Sequence, residues 1–148
     1  YGLAVVCVDD AEVRSILPEV SRPTIRYGID FDADISASNV RYQGSKSVFD
    51  VLLPDAESTF EVTLNMPGRH NVLNALAAIC VAHELGVSSD DMQKALAGFE
   101  GISRRMHMYG EASMKQGTVT IVDDYAHHPT EVAATLNAAK NSWPDKRL

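Results

Sequence analysis

The first 28 residues contain the pattern that most constrains the fold, which is a strand, a helix and a second strand. The apolar run 3–8 predicts a strand that ends at Asp9 and Asp10. Apolar residues at helical spacing follow, and the run 24–27 before Gly28 predicts the second strand. A strand, a helix and a strand in this order form a β-α-β unit, which is typical of a parallel sheet. An α/β fold is therefore expected.

From residue 35 the pattern changes to alternation. Three short segments, centred near Ala37, Val51 and Val62, alternate apolar and polar residues and are separated by polar turns. The alternation slips near Asn39, which predicts a β-bulge. Three neighbouring strands joined by short turns predict an antiparallel meander, expected here as a small side sheet.

The second half of the chain is mainly helical until residue 106. The segment 69–85 is apolar nearly all round and rich in alanine, which predicts a long buried helix. Ser88 and Asp91 form a capping-box pattern for a following helix. The core face predicted for that helix consists of Met92, Ala95, Leu96 and Phe99. A new strand-strand-helix pattern then begins, so a domain boundary is expected near residue 106.

Charge and cysteine usage exclude several classes of partner. The net charge of −7 argues against a nucleic-acid surface, which needs clustered Lys and Arg. There is no polybasic run for a membrane surface, and no apolar stretch reaches the roughly 20 residues that span a bilayer. Cys7 and Cys80 lie inside apolar runs, which suits thiols in a reducing cytoplasm better than a disulfide. The expected partners are small molecules in the cytoplasm.

The ends of the sequence predict a piece of a longer protein. The chain starts without Met and enters a core strand at once, and it stops at Leu148, where a further strand is expected.

Polar residues gather at the start of the long helix, in Gly68-Arg69-His70-Asn71-Val72-Leu73-Asn74. His70 and Asn71 come four and three residues before Asn74, so all three can share one edge of the first two turns. Amide side chains offer the donor and acceptor that an adenine edge needs, and a helix N-terminus attracts anions. Ordinary capping by asparagine explains the same spacing, and on spacing alone it is the favoured interpretation.

Arg104 and Arg105 follow in the loop Gly101-Ile102-Ser103-Arg104-Arg105. A guanidinium binds phosphate oxygens through two parallel hydrogen bonds, so the two residues together could clamp a phosphate. A solvated surface pair is the more common alternative.

The richest segment is Asp123-Asp124-Tyr125-Ala126-His127-His128-Pro129-Thr130-Glu131, between an apolar strand and a helix. Ligands bind at the carboxyl ends of strands in α/β proteins. The carboxylates could hold a ribose hydroxyl or a metal, although adjacent residues on a turn rarely converge on one ion. The structural alternative is a strand end followed by a helix start, with His128 as the helix cap and Pro129 in the first turn. A functional interpretation is favoured for Asp124, Tyr125 and His127.

Taken together, these three segments, in this order and at these separations, resemble the Mur ligases. The Gly-Arg-His-Asn-x-x-Asn segment is shared across that family. The Asp-Asp-Tyr-x-His-His-Pro-Thr-Glu segment is most similar to the branch that joins L-alanine to UDP-N-acetylmuramate, and the murein tripeptide ligase has a near copy. The resemblance implies that residues 1–106 are the second half of a P-loop-type central ATPase domain. Residues 107–148 would begin a Rossmann-like C-terminal domain that binds the amino acid.

The resemblance also implies a reaction and a set of site residues. The family uses ATP and Mg²⁺ to phosphorylate a carboxylate, and an amine attacks the acyl phosphate to give an amide. Position by position, it places Asn71 and Asn74 at the adenine with His70 beside them, Arg105 at the phosphates and Asp124 at the ribose. Tyr125 and His127 are implied as catalytic residues at the acyl and alanine end.

Some parts of such an enzyme are missing from these 148 residues. The sequence contains no Gly-x-x-Gly-Lys-Thr loop, and the magnesium ligands and the UDP-binding domain are expected outside it. No metal site is therefore expected here, and the segment alone is expected to have no ligase activity. A non-catalytic nucleotide-binding or regulatory module remains the alternative of a different class.

Overall fold

A computed structural model describes residues 2–54, 56–115 and 117–148 and confirms the α/β class. Every element that the sequence predicted is present, with bounds that differ by a few residues. In chain order the elements are β1 (Ala4–Cys7), α1 (Ala11–Ile16), a 3₁₀ turn (Leu17–Glu19), β2 (Thr24–Gly28), β3 (Ile35–Gln43), β4 (Lys46–Leu52), β5 (Phe60–Leu64), α2 (Arg69–Glu84), α3 (Ser89–Gly98), β6 (His107–Met114), β7 (Gly117–Asp123) and α4 (Pro129–Ser142).

The main sheet has five strands in the order β1-β2-β3-β4-β5. β1 and β2 are parallel, as the β-α-β pattern predicts, and β3, β4 and β5 form the predicted antiparallel meander. The meander continues the same sheet, because β3 pairs in parallel with β2 at Tyr27↔Ile35 and Gly28↔Ser36. The bulge is confirmed, since the β3–β4 register shifts after Ser38 and Asn39 has a φ of 50°.

Helix α2 packs one face on this sheet. Its buried residues include Val72, Leu76 and Ile79, which join a core with fully buried Phe49 and Val51 of β4. The prediction of a long buried helix is correct for this face only. The sheet covers only one side of the helix, and alanine is small enough to stand on the other side at little cost. The exposed residues of α2 include Asn74, Ala78 and Val81.

Helix α3 begins at the predicted cap. Ser88 Oγ accepts a hydrogen bond from the Asp91 N–H at 3.2 Å and donates one to the Asp91 carboxylate at 2.7 Å. Met92 is buried, but the predicted core face is only partly correct, because Ala95 and Phe99 are exposed. α3 ends at Gly98, and Phe99 follows it beside a cavity.

The C-terminal part consists of the β6–β7 hairpin and α4. Its small core is Met106, Ala138 and Ala139, with Val122 and Trp143 packed against it. α4 meets the start of α2 where Ala138 faces Gly68, so closely that a Cβ on Gly68 would lie 2.7 Å from the Ala138 Cβ. Among the described residues, no helix has the length and apolar character needed to cross a membrane.

Candidate functional site

A cavity of about 540 Å³ lies where the start of α2, the loop after α3 and the segment after β7 meet. Its size is in the range of small-molecule sites. It collects five of the seven residues that the sequence singled out, from elements far apart in the chain. Its lining consists of Leu64, Met66, His70, Asn71, Asn74, Ala75, Ala78, Leu96, Phe99, Ile102, Arg105 and Asp124.

Another cavity, of about 810 Å³, lies between the β6–β7 hairpin and the end of α4. Its lining includes Val119, Trp143 and Leu148 but none of the predicted site residues. Volume alone therefore does not identify the site, and convergence of polar groups favours the smaller cavity.

The exposed side of α2 forms one wall of the smaller cavity. His70, Asn74 and Ala78 are four residues apart and share one face of the helix. The small side chain of Ala78 leaves room in front of the helix. Gly68 precedes α2 and has no side chain to cap it, so the N-terminal charge of the helix is not offset by a capping group.

The two asparagines have different surroundings. Asn71 is 5% exposed, and its Nδ2 donates a hydrogen bond to the Pro67 carbonyl at 2.8 Å. This bond connects the first turn of α2 to the residue before Gly68, which is a structural role for Asn71. Asn74 is exposed on the cavity side of α2, where its amide faces the cavity. A structural role therefore accounts for Asn71 better than for Asn74, although the bond goes to a carbonyl before the helix and not to a free N–H of its first turn.

His70 is half-buried between α2 and the polar side of the cavity. Burial lowers the pKa of His70 below its ordinary value, Asp124 raises it, and Arg105 lowers it further. The net direction is downward, so the imidazole is neutral near pH 7. A neutral imidazole offers one donor and one acceptor.

We expect the low pKa of His70 to make unfolding depend on pH. In the unfolded chain the pKa is near 6.5 and in the folded chain it is lower, so the unfolded state binds more protons in between. The contribution of neutral His70 to stability is fully present above pH 6.5, and it is lost as the pH falls through the pKa of His70 in the folded chain. His70→Gln should flatten this dependence in urea unfolding between pH 7.5 and 5, and His83→Gln should keep it. Equal slopes in both variants would contradict the assignment.

Asp124 fixes the loop and also lines the cavity. Its Oδ2 accepts a hydrogen bond from the Met106 N–H at 2.9 Å, and its Oδ1 accepts one from the Ala126 N–H at 2.8 Å. Each carboxylate oxygen has a second lone pair, so Asp124 can accept a further hydrogen bond from a ligand.

The side chains of Arg104 and Arg105 diverge, so the two together do not form a phosphate clamp. Arg105 lines the cavity, whereas the Arg104 guanidinium lies 4.4 Å from the ring centroid of Tyr125. Arg104 Nε is also 3.9 Å from a carboxylate oxygen of Asp123. Their spacing did not distinguish the two adjacent arginines, and only the resemblance singled out Arg105; the fold gives them different neighbours.

Tyr125 and His127 are predicted site residues that lie outside the cavity lining. Tyr125 is 53% exposed, and its ring centroid is 5.2 Å from that of His127. His127 Nδ1 is 3.1 Å from the Tyr125 carbonyl oxygen and 3.7 Å from Glu131 Oε2. They form an exposed surface beside the cavity.

The structural roles predicted for His128 and Pro129 are confirmed. His128 is the N-cap of α4, with Nδ1 accepting from the Thr130 N–H at 3.4 Å, and Pro129 begins the helix. Glu131 completes the capping box. Hydrogen bonds from the His127 and His128 N–H groups lower the pKa of Glu131, and Arg105 contributes less.

Sequence reasoning missed the apolar wall of the cavity. Phe99, which was expected in the core, is 42% exposed beside it, and Ile102, on the loop that was considered only for its arginines, is 63% exposed. The available signal was two large apolar residues in a polar loop around Gly101. Within residues 2–54, 56–115 and 117–148, no group of three or more His, Cys, Asp or Glu side chains is placed to hold a metal ion.

Comparison with known proteins gives matches in both parts of the chain. A family model described as the Mur ligase middle domain matches residues 1–82, and one described as a Mur ligase, glutamate ligase domain matches residues 104–148.

Solved structures match nearly the whole chain. UDP-N-acetylmuramate-alanine ligase MurC from Thermotoga maritima is 27% identical with a TM-score of 0.76, over 97% of this chain and 31% of that one. MurF ligase from Thermotoga maritima in complex with ADP is 25% identical with a TM-score of 0.76, over 95% and 31%. At 18% identity and a TM-score of 0.70, folylpolyglutamate synthase from Mycobacterium tuberculosis shares the fold, over 95% and 30%.

The chain thus spans about 31% of the length of the MurC and MurF structures. The middle-domain model alone covers 82 of the 148 residues, more than half of the sequence. The chain belongs to the Mur ligase family.

Proposed function

We propose that this chain is part of an ATP-dependent ligase that forms an amide bond through an acyl phosphate. The observation that carries the proposal is the 540 Å³ cavity, in which a helix N-terminus, two amides, an imidazole, a guanidinium and a carboxylate converge on an apolar wall. A nucleotide has the matching chemistry, with a flat apolar base that carries a polar edge, a diol and a chain of anionic phosphates.

The base is proposed to lie between the apolar wall and α2. Phe99 and Ile102 would cover its faces, and the Asn74 amide would meet its polar edge with one donor and one acceptor. Asn71, held by Pro67, would complete that side, with neutral His70 beside it. The ADP complex of the related MurF structure supports nucleotide binding by this fold.

The phosphates and the ribose are proposed to lie toward the C-terminal part. Arg105 would bind phosphate oxygens and Asp124 a ribose hydroxyl, each within reach of the positive end of α2. Such residues catalyse by holding the reactants and neutralising charge. Among the described residues, no cluster of three or more His, Cys, Asp or Glu side chains is placed to hold a metal ion beside the phosphates.

The reacting end is proposed to face the surface formed by Tyr125 and His127. UDP-N-acetylmuramate would supply the carboxylate and L-alanine the amine, in the cytoplasm. In this proposal residues 1–106 are the C-terminal part of the ATP-binding domain, and residues 107–148 begin the domain that binds the amino acid. The choice of substrates rests on the segment 123–131, because overall identity is 27% both to MurC and to a MurF from Acinetobacter baumannii.

Two alternatives follow from specific observations. The murein tripeptide ligase has a near copy of the segment 123–131, so it is the rival within the enzyme class. The second alternative is a nucleotide-binding module without catalysis. The apolar cavity wall would serve it equally well, and nucleotide binding alone does not require His127.

The deciding experiment follows phosphate release by the full-length protein with UDP-N-acetylmuramate, ATP and Mg²⁺, with and without L-alanine. Alanine-dependent release supports the proposed ligase. Release that instead needs alanyl-γ-glutamyl-diaminopimelate supports the tripeptide ligase. Absence of release with both, together with measurable ATP binding, would leave the non-catalytic module as the better account.

The cavity assignment is tested separately by ADP affinity, measured by calorimetry. We expect Asn74→Ala to weaken ADP binding about three- to tenfold, the effect of losing one or two hydrogen bonds. The matched control is Asn141→Ala, at an exposed position of α4 away from the cavity. Equal ADP affinities in the two variants would contradict the placement of the base.

A further inference from the structure

The loop between α3 and β6 has an unusual backbone. Arg104 and Met106 have φ values of 63° and 48°, in the left-handed region that residues with a Cβ seldom adopt. Gly101, with a φ of 87°, adopts such angles without strain. Two strained residues on either side of Arg105 require neighbours that hold them in place.

Those neighbours come from the segment after β7. The Tyr125 N–H donates to the Arg104 carbonyl at 2.8 Å, and the Met106 N–H donates to Asp124 Oδ2 at 2.9 Å. The main chain is therefore fixed on both sides of Arg105. Met106 is also 6% exposed and packs with Ala138 and Ala139 of α4, which anchors the end of the loop.

The Arg104 side chain adds a further contact on the outer side. It stacks on the Tyr125 ring and points toward the Asp123 carboxylate, whereas Arg105 lines the cavity. A guanidinium over an aromatic ring is attracted by the negative face of the ring. Because the two arginines are adjacent, an anchored Arg104 limits the directions open to Arg105.

We propose that Arg104 is a positioning residue, and that its contact with the Tyr125 ring directs the neighbouring Arg105 into the cavity. The inference rests on the proposed function, in which Arg105 meets the phosphates. It assigns Arg104 no contact with the nucleotide. The Tyr125 ring is the partner in this contact, whatever its hydroxyl does at the reacting end.

A test that needs no nucleotide uses His70 as a reporter of Arg105. Burial is the main reason for the low pKa of His70, but nearby Arg105 also lowers it. Moving the guanidinium away should raise that pKa. His70 in the full-length protein can be titrated by NMR after selective histidine labelling, with His70→Gln to assign its signal.

We expect Arg104→Ala to raise the pKa of His70 in the same direction as Arg105→Ala, by a smaller amount. Arg104→Lys keeps a cation over the ring and should restore part of the wild-type value. Arg104→Gly separates backbone from side chain, because glycine adopts the φ of 63° freely. A wild-type titration in Arg104→Gly or Arg104→Ala, with a clear shift in Arg105→Ala, would overturn the proposal.

The second measurement is ADP affinity in a double-mutant cycle. Arg104→Ala should weaken ADP binding about threefold, as expected from losing one exposed cation–π contact. Tyr125→Leu should have a similar effect, and the double variant should be no weaker than either single one, because each removes the same contact. Tyr125→Phe keeps the ring and should retain the coupling to Arg104. Arg22→Ala, at an exposed position, is the control for the loss of one positive charge.

The outcomes separate this inference from the proposed function. If the wild-type protein does not bind ADP, the proposed nucleotide site fails, while the His70 titration still decides whether Arg104 positions Arg105. If ADP binds and the Arg104 and Tyr125 effects multiply independently, the positioning role is overturned and the nucleotide site stands.

Discussion

Gly68→Ala is expected to cost about 3 kcal/mol of folding free energy, from backbone strain and overpacking together, and to disrupt the cavity. Gly68 has a φ of 104°, which residues with a Cβ rarely adopt. An added Cβ would lie 2.7 Å from the Ala138 Cβ and 2.8 Å from His70 Cε1. Because Ala138 belongs to α4 and His70 lines the cavity, the clash would push the two parts of the chain apart. Urea unfolding and ADP calorimetry measure the two effects.

Gly44→Ala is the matched control for that variant. Gly44 also has a positive φ, 61°, but an added Cβ would meet no atom within 4 Å. Gly44→Ala should therefore cost only the strain of the backbone conformation, about 1 kcal/mol of folding free energy. It should leave ADP affinity unchanged, because it introduces no clash. Equal losses in the two variants would show that packing between Gly68 and Ala138 is unimportant.

Asp9→Ala is expected to destabilise the fold by about 3 kcal/mol, because it removes the partner of several donors. The Asp9 side chain is only 5% exposed, and it accepts hydrogen bonds from the Ile29 and Asp30 N–H groups at 3.0 to 3.1 Å. It also pairs with Arg69, the first residue of α2. The loss is smaller than for a fully buried pair, since Arg69 is 41% exposed and water can reach it.

The neighbouring residue provides the control for Asp9. Asp10→Ala removes a carboxylate that caps α1 by accepting from the Glu12 and Val13 N–H groups at 2.8 and 3.0 Å. Loss of an exposed cap costs about 1 kcal/mol. Denaturant midpoints should therefore fall much further for Asp9→Ala than for Asp10→Ala. The reverse order would show that the Asp9 contacts do not hold β1, β2 and α2 together.

The elements of this fold could be predicted because each has a local cause. The β-α-β unit, the bulge at Asn39 and the caps at Ser88 and His128 all follow from spacing and side-chain chemistry within a few residues. The continuity of the sheet could not be predicted in this way. It depends on β3 pairing with β2 at only two positions, Tyr27↔Ile35 and Gly28↔Ser36, which leave no mark in the sequence pattern.

The candidate site was predictable in its polar residues and not in its shape. Each of the three motifs contributes to one small region, and Asn74, Arg105 and Asp124 line the same cavity. The divergence of Arg104 from Arg105 is set by a φ of 63° and by the Tyr125 ring, which neither arginine reveals by itself. Phe99 was assigned to the core because its spacing on α3 is correct, although α3 ends at Gly98 and Phe99 is 42% exposed beside the cavity.

The unequal size of the two apolar cores sets the order in which the chain loses structure. The sheet, α2 and α3 share a core of thirteen buried residues, whereas the hairpin and α4 share Met106, Ala138 and Ala139. The free energy of local opening follows buried apolar contact, so amide hydrogens of α4 should exchange with solvent sooner than those of β4. Arg105 and Asp124 lie at the edge of the less stable unit. A ligand that bridges them to α2 would therefore slow exchange in α4 more than in the sheet, by binding the closed form alone.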